Sequence, residues 1–512
     1  MILGWLALAL LGQTPANGGT PPQARATITY EPNVLAAPDG GVARWPEAHL
    51  PVADAGVGRW EVARPQAWDG GAGWPPPVAV PPPGAESGLA TEEEPRGESL
   101  FRGAVELLAE ALPSGVAGGG QDVFGDVLPI LAVEAGDQFG FELGAVLRLR
   151  AIDNPPLQRQ DDYGGILRRE DWDEKSDYGQ ILRELRLGAD GDPFTLRAGA
   201  LPRATLGRGF LVDRYQNRLN PDYHPAGAVL GVSLGAFRAE AMASDVLAPR
   251  LFAAELQADL GRLFSPRFKD RYRYHVALSA AQDFGEAGGT TAPISLLALD
   301  ADAALYRGEA LQAFAYAALG ARMLTADFSG GAALGASLDA SLGGADLGAS
   351  AELRKIGGGF RFGMFGPAYE LSRFSDVGLS QTGASAARLP DGYSVHASAQ
   401  LAMGAYGESA LSAEGAFIAS GSVELFSFGR IDADAALSGR MADDRGMVTA
   451  RVTAVDLTGS TPRWQGSMEA RYRFAPSLYA VGEGGLVFFP QPDGTLTRGF
   501  FAGLGVGADF SH

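Results

Sequence analysis

The sequence predicts an all-β chain: a transmembrane antiparallel β-barrel of about 18 strands, with 16 as the alternative, preceded by a disordered Pro/Gly-rich arm and one short helix. Three observations carry this. From about residue 127 to the end, segments of roughly ten residues alternate apolar with polar or small side chains, so each strand has one face toward an apolar medium and one toward a polar one. The connections fall into two kinds. Short turns such as Asp190-Gly191-Asp192-Pro193, Tyr306-Arg307-Gly308-Glu309 and Gly343-Gly344 contrast with long polar and aromatic loops at 153–178, 202–226 and 357–392. The segments also match the roughly 9–11 residues a tilted strand needs to cross a bilayer.

The amino end reads as a signal peptide over 1–16. Met1 to Leu11 is apolar but short of the ~20 residues of a membrane helix, and Thr14-Pro15-Ala16 supplies a small-x-small cleavage site. Residues 17–98 hold Pro75-Pro76-Pro77, Pro81-Pro82-Pro83 and Glu92-Glu93-Glu94 without sustained periodicity, the composition of a disordered arm. Trp45, Trp60, Trp68 and Trp74 in it are either docking motifs or incidental aromatics. Over 99–113, Leu100, Ala104, Leu107, Leu108 and Ala111 follow helical spacing opposite Glu106 and Glu110, with Pro113 as the stop, so an amphipathic helix is expected there. The barrel is expected over 127–512.

Within it, Phe139, Phe141, Leu143, Ala145, Leu147 and Leu149 alternate with Gly140, Glu142, Gly144, Arg148 and Arg150. Trp464, Met468, Ala470, Tyr472 and Phe474 alternate with Gln465, Ser467, Glu469, Arg471 and Arg473. A strand with half its two connections takes roughly 20–24 residues, which gives the count of about 18. Closure removes every unpaired backbone edge from lipid.

Composition excludes several classes. The chain has 512 residues, 71 Gly, no Cys and a formal net charge of −19. Without Cys there is no disulfide framework, thiolate zinc site or thiol nucleophile. The acidic balance argues against nucleic acid. Gly231-Val232-Ser233-Leu234-Gly235 matches a nucleophile elbow in letters, but the alternation continues through it where a helix is required. Gly503-Leu504-Gly505-Val506-Gly507 likewise lacks the helix of a dinucleotide site. His275 and His396 fall on the polar phase and read as solvated lumen residues. No enzyme, cofactor or metal is expected.

The signal-like start, the long run of alternating strands and a last strand ending near Phe510 resemble bacterial outer-membrane β-barrel proteins of porin-like kind. A weaker resemblance is to polysaccharide-export barrels of the alginate-exporter type. The resemblance implies the outer membrane of a Gram-negative bacterium, with outer-membrane lipid and the barrel-insertion machinery as partners. Its function would be a passive conduit for export of an anionic exopolysaccharide. The alternatives are a general diffusion porin for small solutes, and a structural or docking barrel of a secretion or surface-motility machine. In the last, the arm would engage periplasmic export or motility proteins.

The polar phase places Arg148, Arg150, Arg186, Arg197, Arg273, Glu352, Arg354, Arg430, Asp432, Arg451, Glu469, Arg471 and Arg473 toward the lumen. Such charges either brace the wall in pairs or set ion selectivity. Two loops combine aromatic faces with cations, the pairing that sugar contact or a constriction uses. One carries Arg203, Arg208, Arg214, Tyr215, Arg218 and Tyr223; the other carries Phe360, Arg361, Phe362, Phe365, Tyr369 and Arg373. They either fold into the lumen or cover the barrel mouth.

Overall fold

The computed structural model describes residues 99–511 apart from 114–120, 137, 155–165, 173–174, 190, 219–223, 266–271, 285–292, 309, 324–328, 343–344, 358, 371–389, 404–414, 442–444, 460–461 and 491–495. The signal segment, the arm with its four Trp, Tyr223 and Arg373 lie outside the described residues.

The chain runs up and down as β1 (Ser99–Pro113), β2 (Gln121–Ala135), β3 (Phe139–Gly144), β4 (Leu147–Ile152), β5 (Leu182–Leu187), β6 (Phe194–Gly199) and β7 (Gly227–Leu234). It continues as β8 (Phe237–Ala243), β9 (Leu251–Asp259), the short helix α1 (Leu260–Phe264), β10 (Tyr274–Asp283), β11 (Ile294–Arg307), β12 (Leu311–Met323), β13 (Ser329–Leu342) and β14 (Ala345–Ile356). It ends with β15 (Gly392–Met403), β16 (Gly415–Phe426), β17 (Ile431–Met441), β18 (Gly446–Val455), β19 (Arg463–Ala475), β20 (Leu478–Pro490) and β21 (Leu496–Ser511). All pairings are antiparallel between neighbours, and β21 pairs back onto β1, so the sheet closes. β4 continues the line of β3 along β2, leaving twenty strands in the ring rather than 18 or 16.

The expected helix over 99–113 is β1, and the barrel begins there rather than at 127. The reason is a coincidence of period. Glu106 and Glu110 share a face in a helix, but residues four apart also share a face in a strand. In the structure Ala104, Glu106, Leu108, Glu110 and Leu112 point inward, while Phe101, Val105 and Leu107 point outward. Pairing along its whole length with β2, and from Arg102 to Ala111 with β21, closes the ring and settles the ambiguity of the local pattern.

The alternation expected from the sequence holds around the wall. On β13, Ala333 is 5% exposed and its neighbour Leu334 64%. At the closing seam the ring of Phe510 lies across Gly103, where no side chain would fit. Both ends of the barrel, Ser99 and Ser511, stand at one rim. The strand ends joined by the short connections meet at that terminal rim, and those that lead into the three long loops stand at the opposite, far rim. A closed antiparallel ring with an apolar outer surface and a charged interior is the architecture of an outer-membrane barrel.

The 231–235 segment is the end of β7 and its turn, and 503–507 lies inside β21; neither leads into a helix.

Candidate functional site: the lumen and its inward loops

The loop between β6 and β7 folds into the barrel. Gly199 and Gly227 face each other in the last register pair before it leaves the wall. Gly199 has φ 130, and a side chain there would strike the Arg183 carbonyl. From this hinge, residues 201–217 form a hairpin. Ala204 pairs with Tyr215, and the Leu201 N–H donates to Asn217 Oδ1 at 2.8 Å.

The tip meets one wall. The Gly207 N–H donates to Glu240 Oε2 on β8 at 3.0 Å. Arg208 Nε donates to Asp302 on β11 at 3.2 Å, and its guanidinium covers the Tyr316 ring of β12 at 4.6 Å. The flank meets the wall on the other side of the ring from β7. Arg214 Nη1 donates to Asp434 of β17 at 2.9 Å, and Nη2 to Ser422 of β16 at 2.8 Å. Arg451 of β18 reaches Gln216 at 2.7 Å. The hairpin therefore spans the lumen. Arg214 adopts φ 52, a strained conformation for a side-chain-bearing residue, held by these partners and by Asp213.

The loop after β14 joins it. The Gly363 N–H donates to the Phe210 carbonyl at 2.8 Å, and the Asp213 N–H to that of Phe365 at 3.1 Å. Phe210, Phe360, Phe362, Phe365 and Tyr369 form one buried cluster with inward residues of β8 to β13. Phe360 seats over Gly320 and Gly331, which face each other in register. Tyr215 donates to Glu370 at 2.6 Å, and Tyr369 bonds to Asp283. These aromatics are core, not platforms open to a sugar: Phe360, Phe362 and Phe365 are wholly buried. Arg361 pairs with Glu424 and Asp432. The third long loop packs beside the hairpin base. Arg218 donates to the Pro225 carbonyl at 3.0 Å and, at 3.4 Å, to that of Gly179.

Electrostatics follow from this burial. Burial would raise the Asp213 carboxyl, but the Arg214 guanidinium outweighs it and holds it down to about 2. Burial, then repulsion from Arg214, push Arg203 down to about 10.

The lumen candidates on the wall are mostly ion-paired. Arg148 meets Glu110 at 3.0 Å and Asp171 at 2.6 Å. Arg354 meets Glu352 at 2.6 Å, Arg430 meets Asp432 at 2.8 Å, and Arg471 meets Glu469 at 2.6 Å and Glu106 at 2.9 Å. Arg150 and Arg186 stand 3.7 Å from Asp122 and Glu184, and Arg473 bonds to Asp509. Arg197 faces Arg186 in register. Arg273 departs from expectation: it lies in the exposed turn before β10, over the Tyr274 ring, because the strand begins one residue later.

Register aligns a row of inward groups across the wall: Asp259, His275, Asp302, Tyr316, Gly335, Glu352, His396, Glu424 and Asp432. Both histidines are inward as expected but buried rather than solvated, His275 sitting 3.0 Å from Asp302. Sequence reading missed Asp171, Arg183 and the Gly199–Gly227 hinge. It also missed the inward role of Glu106 and Glu110, for which the alternation over 99–113 was the available signal.

No protein-family model and no curated protein matches the chain. Among solved structures it is similar to Acinetobacter baumannii OccAB4 at 9% identity, covering 82% of this chain and 99% of that one with a TM-score of 0.33. A BenF-like porin from Pseudomonas fluorescens Pf-5 matches at 9% identity, with 81% and 99% covered and a TM-score of 0.30. CdiB from Acinetobacter baumannii matches at 7% identity and 0.27, and the chain spans only 60% of that protein.

Proposed function

We propose that this chain is a passive outer-membrane channel for small polar solutes, narrowed by the hairpin at 201–217. The observation that supports the reading is the hairpin itself. It leaves a closed, charged-walled barrel at the Gly199–Gly227 pair and is anchored on both sides of the lumen. A polar interior with a loop drawn into it restricts passage by size and charge.

Export of an anionic exopolysaccharide is the narrower reading. It requires the hairpin and the aromatic cluster to move aside, because the rings that would stack on sugars are buried against one another. A second reading, a structural or docking barrel of an envelope-spanning machine, is favoured by that same cluster filling the sector beside β8 to β13. Single-channel recording of the full chain in a planar bilayer separates the three. Steady conductance carried by small ions supports the channel. Block by added acidic polysaccharide supports the narrower export reading. A folded barrel that inserts and never conducts rejects the channel and leaves the docking role.

A further inference from the structure

The wall is not of even height. A tilted strand needs roughly 9–11 residues to cross the ~25 Å apolar band of an outer-membrane barrel. β19 has 13 residues, and its outward column runs from Trp464 at the far rim to Tyr472 and Phe474 at the terminal rim. Trp464 to Phe474 is about 34 Å of strand at ~3.4 Å per residue, or about 26 Å of height at a tilt of ~40°. The aromatics therefore mark two membrane boundaries a full band apart.

β5 and β6 have 6 residues each, β8 has 7 and β7 has 8. Six residues, five steps along the strand, give about 13 Å of height by the same arithmetic. On β6 the outward column is Phe194, Leu196 and Ala198, and there the chain turns inward at Gly199. The hairpin that narrows the lumen is built from chain that the wall then lacks.

Above these strands the outer surface is a 3-10 helix, Lys175–Ile181, and the turn at 244–250. Irregular backbone exposed to hydrocarbon is costly, because its polar groups lack the partners that a strand ladder supplies. The turn exposes Val246 and Leu247, and the 3-10 helix beside it carries the boundary residues. Lys175 and Tyr178 are exposed side by side on the 3-10 helix, immediately above Ile181 and β5. An aromatic and a lysine at one height are what membrane–water interfaces collect. Below them the outward residues Leu185, Leu187, Leu196, Leu230 and Val232 are apolar and continuous with the lipid-facing belt on either side.

We propose that the β5–β8 wall is a surface for a locally thinned bilayer, with lipid headgroups drawn down to the level of Lys175 and Tyr178. A short apolar span is met by thinning the lipid around it. The thinned sector lies directly outside the hinge of the lumen hairpin.

The chain has no Cys, so single-Cys probes report one position each. Leu230→Cys sits mid-way along β7 on the low wall, and Met468→Cys mid-way along β19 on the tall one. Each full-length variant, labelled with an environment-sensitive fluorophore, is folded into dioleoylphosphatidylcholine vesicles. The vesicles carry a nitroxide either on the headgroup or deep in the acyl chain. The expected result is a shift of quenching toward the headgroup nitroxide at Leu230→Cys relative to Met468→Cys. Ile181→Cys should be quenched like Trp464→Cys, a boundary position on the tall wall. Equal headgroup-to-deep ratios at Leu230→Cys and Met468→Cys would overturn the proposal. So would quenching of Ile181→Cys mainly by the deep nitroxide, or by neither, which would place hydrocarbon or a protein cover there. A variant failing to fold is replaced by Val232→Cys on the same wall, read against the same outcomes.

Discussion

Tyr479 on β20 donates a 2.6 Å hydrogen bond to Glu106 on β1, across the intervening strand β21. The contact passes over Gly507, which faces Tyr479 on one side and Glu106 on the other. A side chain at 507 would occupy the place of the ring. The arrangement recurs within the wall, where Tyr316 reaches Glu352 at 3.0 Å across Gly335. At the seam it joins the last strands to the first. Tyr479→Phe is expected to cost about 1.5–3 kcal/mol, the range for a hydrogen bond to a charged group, read as a lower urea midpoint in vesicles. Gly507→Val should cost more, since it evicts the ring. Unchanged midpoints in both variants would remove any role for the bond in closure.

The hinge is expected to separate hairpin placement from barrel folding. Gly199→Val puts a branched side chain at φ 130 and against the Arg183 carbonyl. The clash is confined to the far ends of β5 and β6, so heat-modifiable migration should persist while conductance rises. Loss of the folded band would place Gly199 in barrel assembly instead.

Arg214 carries the far anchor. Its removal by Arg214→Ser leaves Asp213 and Asp434 facing each other without their shared cation. Open-channel noise at neutral pH should increase. In the parent chain, Asp213 is held down to about 2, below the ~3.9 of a free aspartate, so its contribution is present above the free value and is lost as pH falls toward 2. Noise should stay level from pH 7 to about 4 and rise below it. Noise rising already between pH 7 and 5 would assign the anchor to another group.

Phe360 should hold its loop in place. Phe360→Ala empties the notch over Gly320 and Gly331, a change that costs about 3–5 kcal/mol in a packed core. Arg361 beside it should become a tryptic site in vesicles. Protection equal to the parent's would show that the Glu424 and Asp432 pairs suffice.

The barrel itself was legible because period-two alternation states both faces of a strand at once, as Ala333 and Leu334 illustrate. β1 was not, because Leu100, Ala104, Leu107, Leu108 and Ala111 satisfy a helical period too, and only its partners β2 and β21 decide between them. Losing that strand lowered the count. The two inward loops were singled out from their arginines and aromatics. That the rings would bury one another, rather than await a ligand, depends on Gly320 and Gly331 of the β12–β13 wall and on the contact of Gly363 with Phe210 in the hairpin, which no local pattern connects. The pairing of Arg148 with Asp171 was hidden for the same reason, since Asp171 belongs to a loop without alternation.

The most direct measurement compares single-channel conductance of the full chain with a variant in which 203–216 is replaced by a short Gly-Ser link. The hairpin account expects both to conduct and the variant to conduct several-fold more, with less noise. Equal conductance in the two would contradict it, because the hairpin would then lie outside the path that ions take.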